Sequence, residues 1–226
     1  MQKSHSTPPT ILESFVEIRQ VYAGNWIEIW TRNPNPFLTA MLPAAQKAGA
    51  ELGDIAFNTS PANLGEISLT LNLRQFRAAV KLTLNSATFL TESSSWETAP
   101  GLIEVFQRLA GAIREVSGQC PLVQQCSLAF HMTAGSSDFA SATAGLIRGD
   151  VVGHGTFYGL TRHREDSALT IDKSLKYTSG AFVRVQRTLG GEVSFPQIAV
   201  ALFEDENEAL KLLGVNEAPQ PETAVL

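Results

Sequence analysis

Four histidines are the residues of this 226-residue chain best suited to chemistry near neutral pH. Imidazole is both a common metal ligand and a base that titrates in that range. His5 sits in a proline-bearing N-terminal stretch and has no ordered neighbour to work with. His131 falls on the more polar face of an expected strand, in step with Gln125 and Ser127. His154 opens a strand behind Gly153, and His163 lies near that strand's end. On neighbouring strands, two of these rings can share one zinc or iron, with Asp150 or Asp166 as an oxygen ligand. That defines one reading, a small α+β enzyme using His131, His154 or His163, with or without a metal. Against it, His154 and His163 are an odd number of residues apart, so a straight strand points them to opposite faces. No HExxH and no paired-cysteine spacing supports a metal either. The expectation is therefore no catalytic residue, no metal and no cofactor.

Other chemistry is no better supported. A Gly-x-Ser-x-Gly elbow is absent, and the nearest substitute is Ala134-Gly135-Ser136-Ser137-Asp138, where serine serves as a helix cap. The same helix start can attract an anion, but Gly-x-Gly-x-x-Gly and Walker spacings are missing. Glu13/Glu17 and Glu165-Asp166 are the paired carboxylates. Glu17 is placed to pair with Arg32 across a hairpin, and Glu165-Asp166 marks a turn. Cys120 and Cys126 are six residues apart, roughly 20 Å along an extended strand, too far for a disulfide. Cys126 shares parity with Leu128, Phe130 and Met132 and reads as a buried thiol, whereas Cys120 precedes Pro121 at a turn.

Charge excludes one class of partner. Net charge is -5, and the stretch from Glu204 onward accounts for it, with Glu204, Asp205, Glu206, Glu208, Glu217 and Glu222 against Lys211. The body before it is balanced, so no basic field for nucleic acid exists. The mildest basic excess, Arg148 to Arg187, sets seven bases against four acids and reads as a solvated sheet face. Hydrophobic residues make up 44% and charged ones only 17%, which suits a sizeable core and rules out a mainly disordered chain. No 18-residue apolar run and no signal-peptide core is present. A soluble, cytoplasmic protein without membrane contact is expected.

The elements that position these residues follow from periodicity. Residues 1–10 read as a disordered leader and 217–226 as a flexible acidic tail, leaving one α+β domain over 11–216. Ser14–Tyr22 and Trp26–Thr31 are expected to form a hairpin around Gly24-Asn25. A helix over Phe37–Ala50 should bury Phe37, Met41, Ala44 and Ala48, with a kink or late start at Pro43. Residues 51–65 read as a loop. Strands are expected over 67–73 and from 78 towards Leu90. The Ser94/Glu97 capping box opens the longest helix, whose stripe is Leu102, Phe106, Leu109, Ile113 and Val116, with Ser117-Gly118 as its stop. Then follow a strand over 122–132, a short helix over 138–147, and strands around 156–164, 169–176 and 182–188. A last helix over 196–213 should bury Ile198, Leu202, Leu210 and Leu213 and break near Asp205. The order predicts antiparallel sheet with helices on one face. Its first part is the βαββαβ, ferredoxin-like order, so two fused halves, 11–118 and 119–216, are one way to build it.

The tryptophans give the remaining functional expectation. In the hairpin register Trp26 and Trp30 share the outer face with Arg19 and Arg32. Large aromatics beside arginine are the composition of interface cores. The chain is thus expected to be a non-enzymatic protein-binding or assembly protein, with Arg19, Trp26, Trp30 and Arg32 as the contact. Its partner is another protein or a second copy, and a homo-oligomer is anticipated.

Overall fold

A computed structural model of the chain describes residues 10–27, 30, 35–58, 66–92, 98–133, 151–154, 159–163, 166–178 and 180–213. The chain is α+β, with antiparallel sheet and, among the described residues, three α-helices. Its strands are β1 (Ile11–Val21), β2 (Ile55–Asn58), β3 (Ser68–Leu73), β4 (Ala78–Leu82), β5 (Ser86–Glu92), β6 (Val123–Thr133), β7 (Val151–His154), β8 (Gly159–His163), β9 (Ser167–Lys173) and β10 (Gly180–Gly190). Its helices are α1 (Asn35–Lys47), α2 (Ala99–Ser117) and α3 (Phe195–Leu212). Two compact units divide the chain. One takes residues 16–126 and 188–198, the other 1–15, 127–187 and 199–226.

In the unit of 16–126 and 188–198, strands neighbour one another in the order β2-β3-β4-β5-β1-β6. β2, β3, β4 and β5 pair in antiparallel register, with Leu71 opposite both Ile55 and Val80, and Val80 opposite Phe89. Alternation decides which residues are buried: Leu69, Leu71, Leu73, Val80, Leu82 and Phe89 are inside, and Asn72 and Lys81 are out. α2 follows its predicted stripe, with Leu102, Phe106, Leu109 and Ile113 buried, and ends where Gly118 takes φ 66°. Val116 is only half-buried. Phe106 meets Phe89 of β5 and Phe195 of α3 at ring separations of 5.1 and 5.9 Å. α1 packs against α2 and buries Phe37, Met41 and Ala45, with Ala45 rather than Ala44 in the stripe, and Ala48 is buried in the turn just after it. Pro43 is carried inside α1 on its exposed side.

In the other unit the order is β1-β6-β10-β9-β8-β7. β10 pairs β9 with Val183 opposite Ile171, and β9 pairs β8 with Ile171 opposite Leu160. Leu128, Phe130 and Met132 of β6, Leu169 and Ile171 of β9, and Val183 and Val185 of β10 form the core face. Arg187, on the same side of β10, holds Asp205 of α3 through two bonds, Nε to Oδ2 at 2.9 Å and Nη2 to Oδ1 at 2.6 Å. The faces of β6 and β10 with opposite parity point away from that helix.

Several expectations need correcting. The described residues of the first hairpin's second arm, 26, 27 and 30, are not strand. Trp26 N–H bonds to the Leu84 carbonyl at 2.7 Å, and Trp30 N–H bonds to the Trp26 carbonyl at 3.0 Å, a helical i to i+4 bond. The 51–65 loop contains a 3₁₀ turn, Leu52–Asp54, and the edge strand β2. The strand expected from 78 towards Leu90 is two strands, turned where Thr83 N–H bonds to the Ser86 carbonyl at 2.9 Å. β7 was not anticipated. α3 runs unbroken through Asp205, whose carboxylate is taken up by Arg187. The leader, the Ser94/Glu97 box, the 138–147 helix and the tail beyond Leu213 lie outside the described residues. Among the described residues no helix is long and apolar enough to cross a membrane.

Candidate functional site

The turn joining β9 to β10 gathers the unit's polar chemistry. Its sequence, Ser174-Leu175-Lys176-Tyr177-Thr178-Ser179, lies between Lys173 and Ala181, which face each other in the ladder. Ser174 N–H bonds to the Gly180 carbonyl at 2.8 Å, and Gly180 N–H bonds to the Tyr177 carbonyl at 3.0 Å. The buried Ser174 hydroxyl folds into the turn and accepts the N–H groups of Lys176 at 3.2 Å and Tyr177 at 2.9 Å. This side-chain closure of a turn is what serine offers and aliphatic residues cannot. Gly180 lies close to its neighbours: a Cβ there would sit 3.0 Å from the Met132 carbonyl oxygen.

Side chains of the neighbouring strands adjoin the turn. His131 of β6 places Nδ1 3.0 Å from Ser174 Oγ. Its ring lies 5.0 Å from Phe182 of β10 and 5.5 Å from Tyr177. Glu13 of β1 receives Lys176 Nζ on both carboxylate oxygens, at 2.6 and 2.7 Å. Lys176 Nζ also lies 5.6 Å from the centre of the Tyr177 ring. At the tip, Leu175 is 90% exposed. Phe15 of β1 is 36% exposed. Arg184, also exposed, donates to Ser127 Oγ at 3.3 Å on the same side of β10 as Phe182.

The electrostatics define what this cluster can do. The hydrogen bonds from Lys176 and then Tyr177 hold Glu13 below the usual carboxylate range. Lys176 is pushed up by its bond to Glu13, and Tyr177 by its own bond to Glu13. Burial pulls His131 below the ordinary imidazole value, against the opposing pull of Glu13. At neutral pH the carboxylate is therefore charged, the ammonium charged, the phenol protonated and the imidazole neutral. Ser174 has both lone pairs engaged by backbone N–H groups, so it offers no nucleophile. The arrangement suits recognition better than proton transfer.

The residues expected from the sequence fall differently. Arg19 is exposed on β1. Trp26 and Trp30 are 2% and 7% exposed and are not available as surface anchors. One helical turn apart, both stand against Phe37, at 5.1 and 5.9 Å, and Trp30 Nε1 donates to the Thr83 carbonyl at 3.3 Å. Arg32, Glu165 and the side chains of His154 and His163 lie outside what is described. The backbone places His154 opposite Gly159 and His163 opposite Ala168. Four positions of β8 therefore separate the two, roughly 13 Å, and β10 and β9 stand between β8 and the His131 strand. The three histidines are not brought together, and no group of three His, Cys, Asp or Glu fit for a metal occurs among the described residues. Cys126 is buried and Cys120 exposed, both as free thiols.

Ser174, Leu175 and Tyr177 are not evident from the sequence, because the pattern of 169–176 reads as one strand up to Lys176. The Ser-x-Lys-Tyr run ahead of Ser179-Gly180 is a turn signal that marks them.

No known family model and no curated protein matches the chain. Among solved structures it is similar to Methanococcus jannaschii TBP, at 12% identity and a TM-score of 0.34, over 92% of this chain and 99% of that one. A likeness of that degree says nothing about what this chain binds.

Proposed function

We propose that this chain is a non-enzymatic protein-binding or assembly protein whose contact is the β9–β10 tip with the adjoining outward face of β1, β6 and β10. The observation that carries this reading is Leu175, 90% exposed on a turn fixed by its own hydrogen bonds. A single exposed leucine in a loose loop is ordinary surface. Held rigid, it can enter a partner's pocket at a smaller cost in ordering. Tyr177 shares the turn, and Phe182 and Arg184 follow it on the outward side of β10, a composition typical of interface centres. The basic nitrogen of the cluster, His131 Nδ1, is taken up by the Ser174 hydroxyl at 3.0 Å, which favours binding over catalysis.

Lys176 is already paired with Glu13, so the partner should offer a leucine-sized apolar pocket. Self-association is the form of this contact expected first. Light scattering on purified wild type and Leu175→Asp tests it, together with analysis of what co-purifies. The account expects an oligomer or a stoichiometric complex in the wild type that the variant loses while its circular dichroism is unchanged. Two monomers that co-purify with nothing would contradict it.

A further inference from the structure

A hydroxyl has two lone pairs and one proton. Ser174 Oγ spends both lone pairs on the N–H groups of Lys176 and Tyr177. Its proton is then directed to the remaining neighbour, His131 Nδ1, 3.0 Å away. Nδ1 is therefore an acceptor, and the neutral ring carries its proton on Nε2. The imidazolium ion has two donors and no acceptor, so it has nothing to offer Ser174. When His131 gains a proton, either the ring leaves Ser174 or the serine gives up a backbone N–H and the turn opens.

We infer that His131 and Ser174 form a proton-operated latch on the Leu175 tip, so that protonating His131 loosens the turn and weakens partner binding. This rests on the binding surface proposed above. The groups facing His131 set the operating range. Glu13 on β1 draws the proton on, Lys176 in the turn resists it, Tyr177 is a protonated phenol, and β10 presents the uncharged Phe182 ring. Burial is the larger influence, and it favours the neutral ring. Stability drawn from the neutral ring is fully present above the unfolded value, about 6.5. It is lost as pH falls through the lower value of the folded protein. Glu13 titrates below its own ordinary value, so its step is distinguished by a Glu13→Gln variant that keeps the histidine step.

The test is an NMR titration of the full chain that follows the His131 ring protons and the Lys176 and Tyr177 amides together. The latch requires both amides to shift with the midpoint of His131, below 6.5, in wild type and Glu13→Gln. In His131→Gln those amides should stay flat over the same range. In Ser174→Ala the histidine midpoint should rise and its coupling to the two amides should vanish. A histidine that titrates while both amides stay still would overturn the latch, as would a midpoint at or above 6.5. Retention of any Leu175-dependent partner is measured across the same pH range. A responding tip with no partner leaves the latch standing and defeats the binding reading; a partner held by an unresponsive tip does the reverse.

Discussion

Gln20 and Gln124, both buried and on neighbouring strands, face each other with Gln20 Nε2 donating to Gln124 Oε1 at 2.9 Å. The pair is the middle of a longer chain. Tyr22 donates its hydroxyl to Gln20 Oε1 at 3.0 Å, and Gln124 Nε2 donates to the Val193 carbonyl at 2.5 Å, with the Gly190 carbonyl 3.3 Å away. Burial pushes the Tyr22 phenol well above its ordinary value, so it stays a donor. Through Gln124 the core of β6 fixes the turn that leads into α3.

Replacing Gln124 with leucine keeps the volume and removes its links to Gln20 and to the turn. Gln20 then loses its acceptor and the turn carbonyls lose their donor. Each unpaired buried group costs about 1–3 kcal/mol. Urea unfolding should show a lowered midpoint with an unchanged slope. A variant as stable as the wild type would show that water or another group takes over these bonds.

Phe106 lies between Phe89 and Phe195 and is 3% exposed. Phe106→Ala should cost about 3–5 kcal/mol, the range for a buried aromatic cut to a methyl. Calorimetry reads this as a lower Tm. A loss under about 1 kcal/mol would mean the ring cluster is not core.

Two glycines separate crowding from backbone strain. A Cβ on Gly191 would lie 1.8 Å from the Pro121 carbonyl oxygen, and the Gly191 N–H bonds to the next carbonyl, that of Leu122, at 3.2 Å. Gly118 has φ 66° but nothing within 4 Å of a Cβ. Gly118→Ala should therefore cost only about 1–2 kcal/mol, and Gly191→Ala distinctly more. Equal thermal shifts in the two variants would contradict this.

Arg187 joins Asp205 and, at 2.8 Å, Asp166. Its loss leaves Asp205, 6% exposed, without a partner. Arg187→Ala should cost about 3–5 kcal/mol, whereas the paired change Arg187→Met with Asp205→Leu should recover much of it. Equal losses in both, read by denaturant unfolding, would mean the side chains matter only for packing.

The long helix was legible because its apolar stripe recurs at 3.6 residues over five turns and a glycine ends it. The strands around Leu69 and Val80 were legible from strict alternation. The tryptophans were misread because Trp26-Ile27-Glu28-Ile29-Trp30 alternates like a strand while its two indoles also have i, i+4 spacing. Five residues cannot decide between those periods, and the bonds to Leu84 and Phe37 that settle it come from distant parts of the chain. The tip escaped notice for a related reason. Lys173 to Tyr177 follows Leu169 and Ile171 with no break in pattern, and only the partner strand shows where β9 stops.

The binding surface itself is tested most directly by placing a photo-crosslinking residue at position 175 and irradiating cells that express the full chain. Position 52 is the control, since Leu52 is 74% exposed but far from the turn in sequence and belongs to the other unit. The account predicts one discrete crosslinked protein from position 175, either a second copy or another chain, and none from position 52. No crosslink at 175, or the same products at both positions, would contradict it.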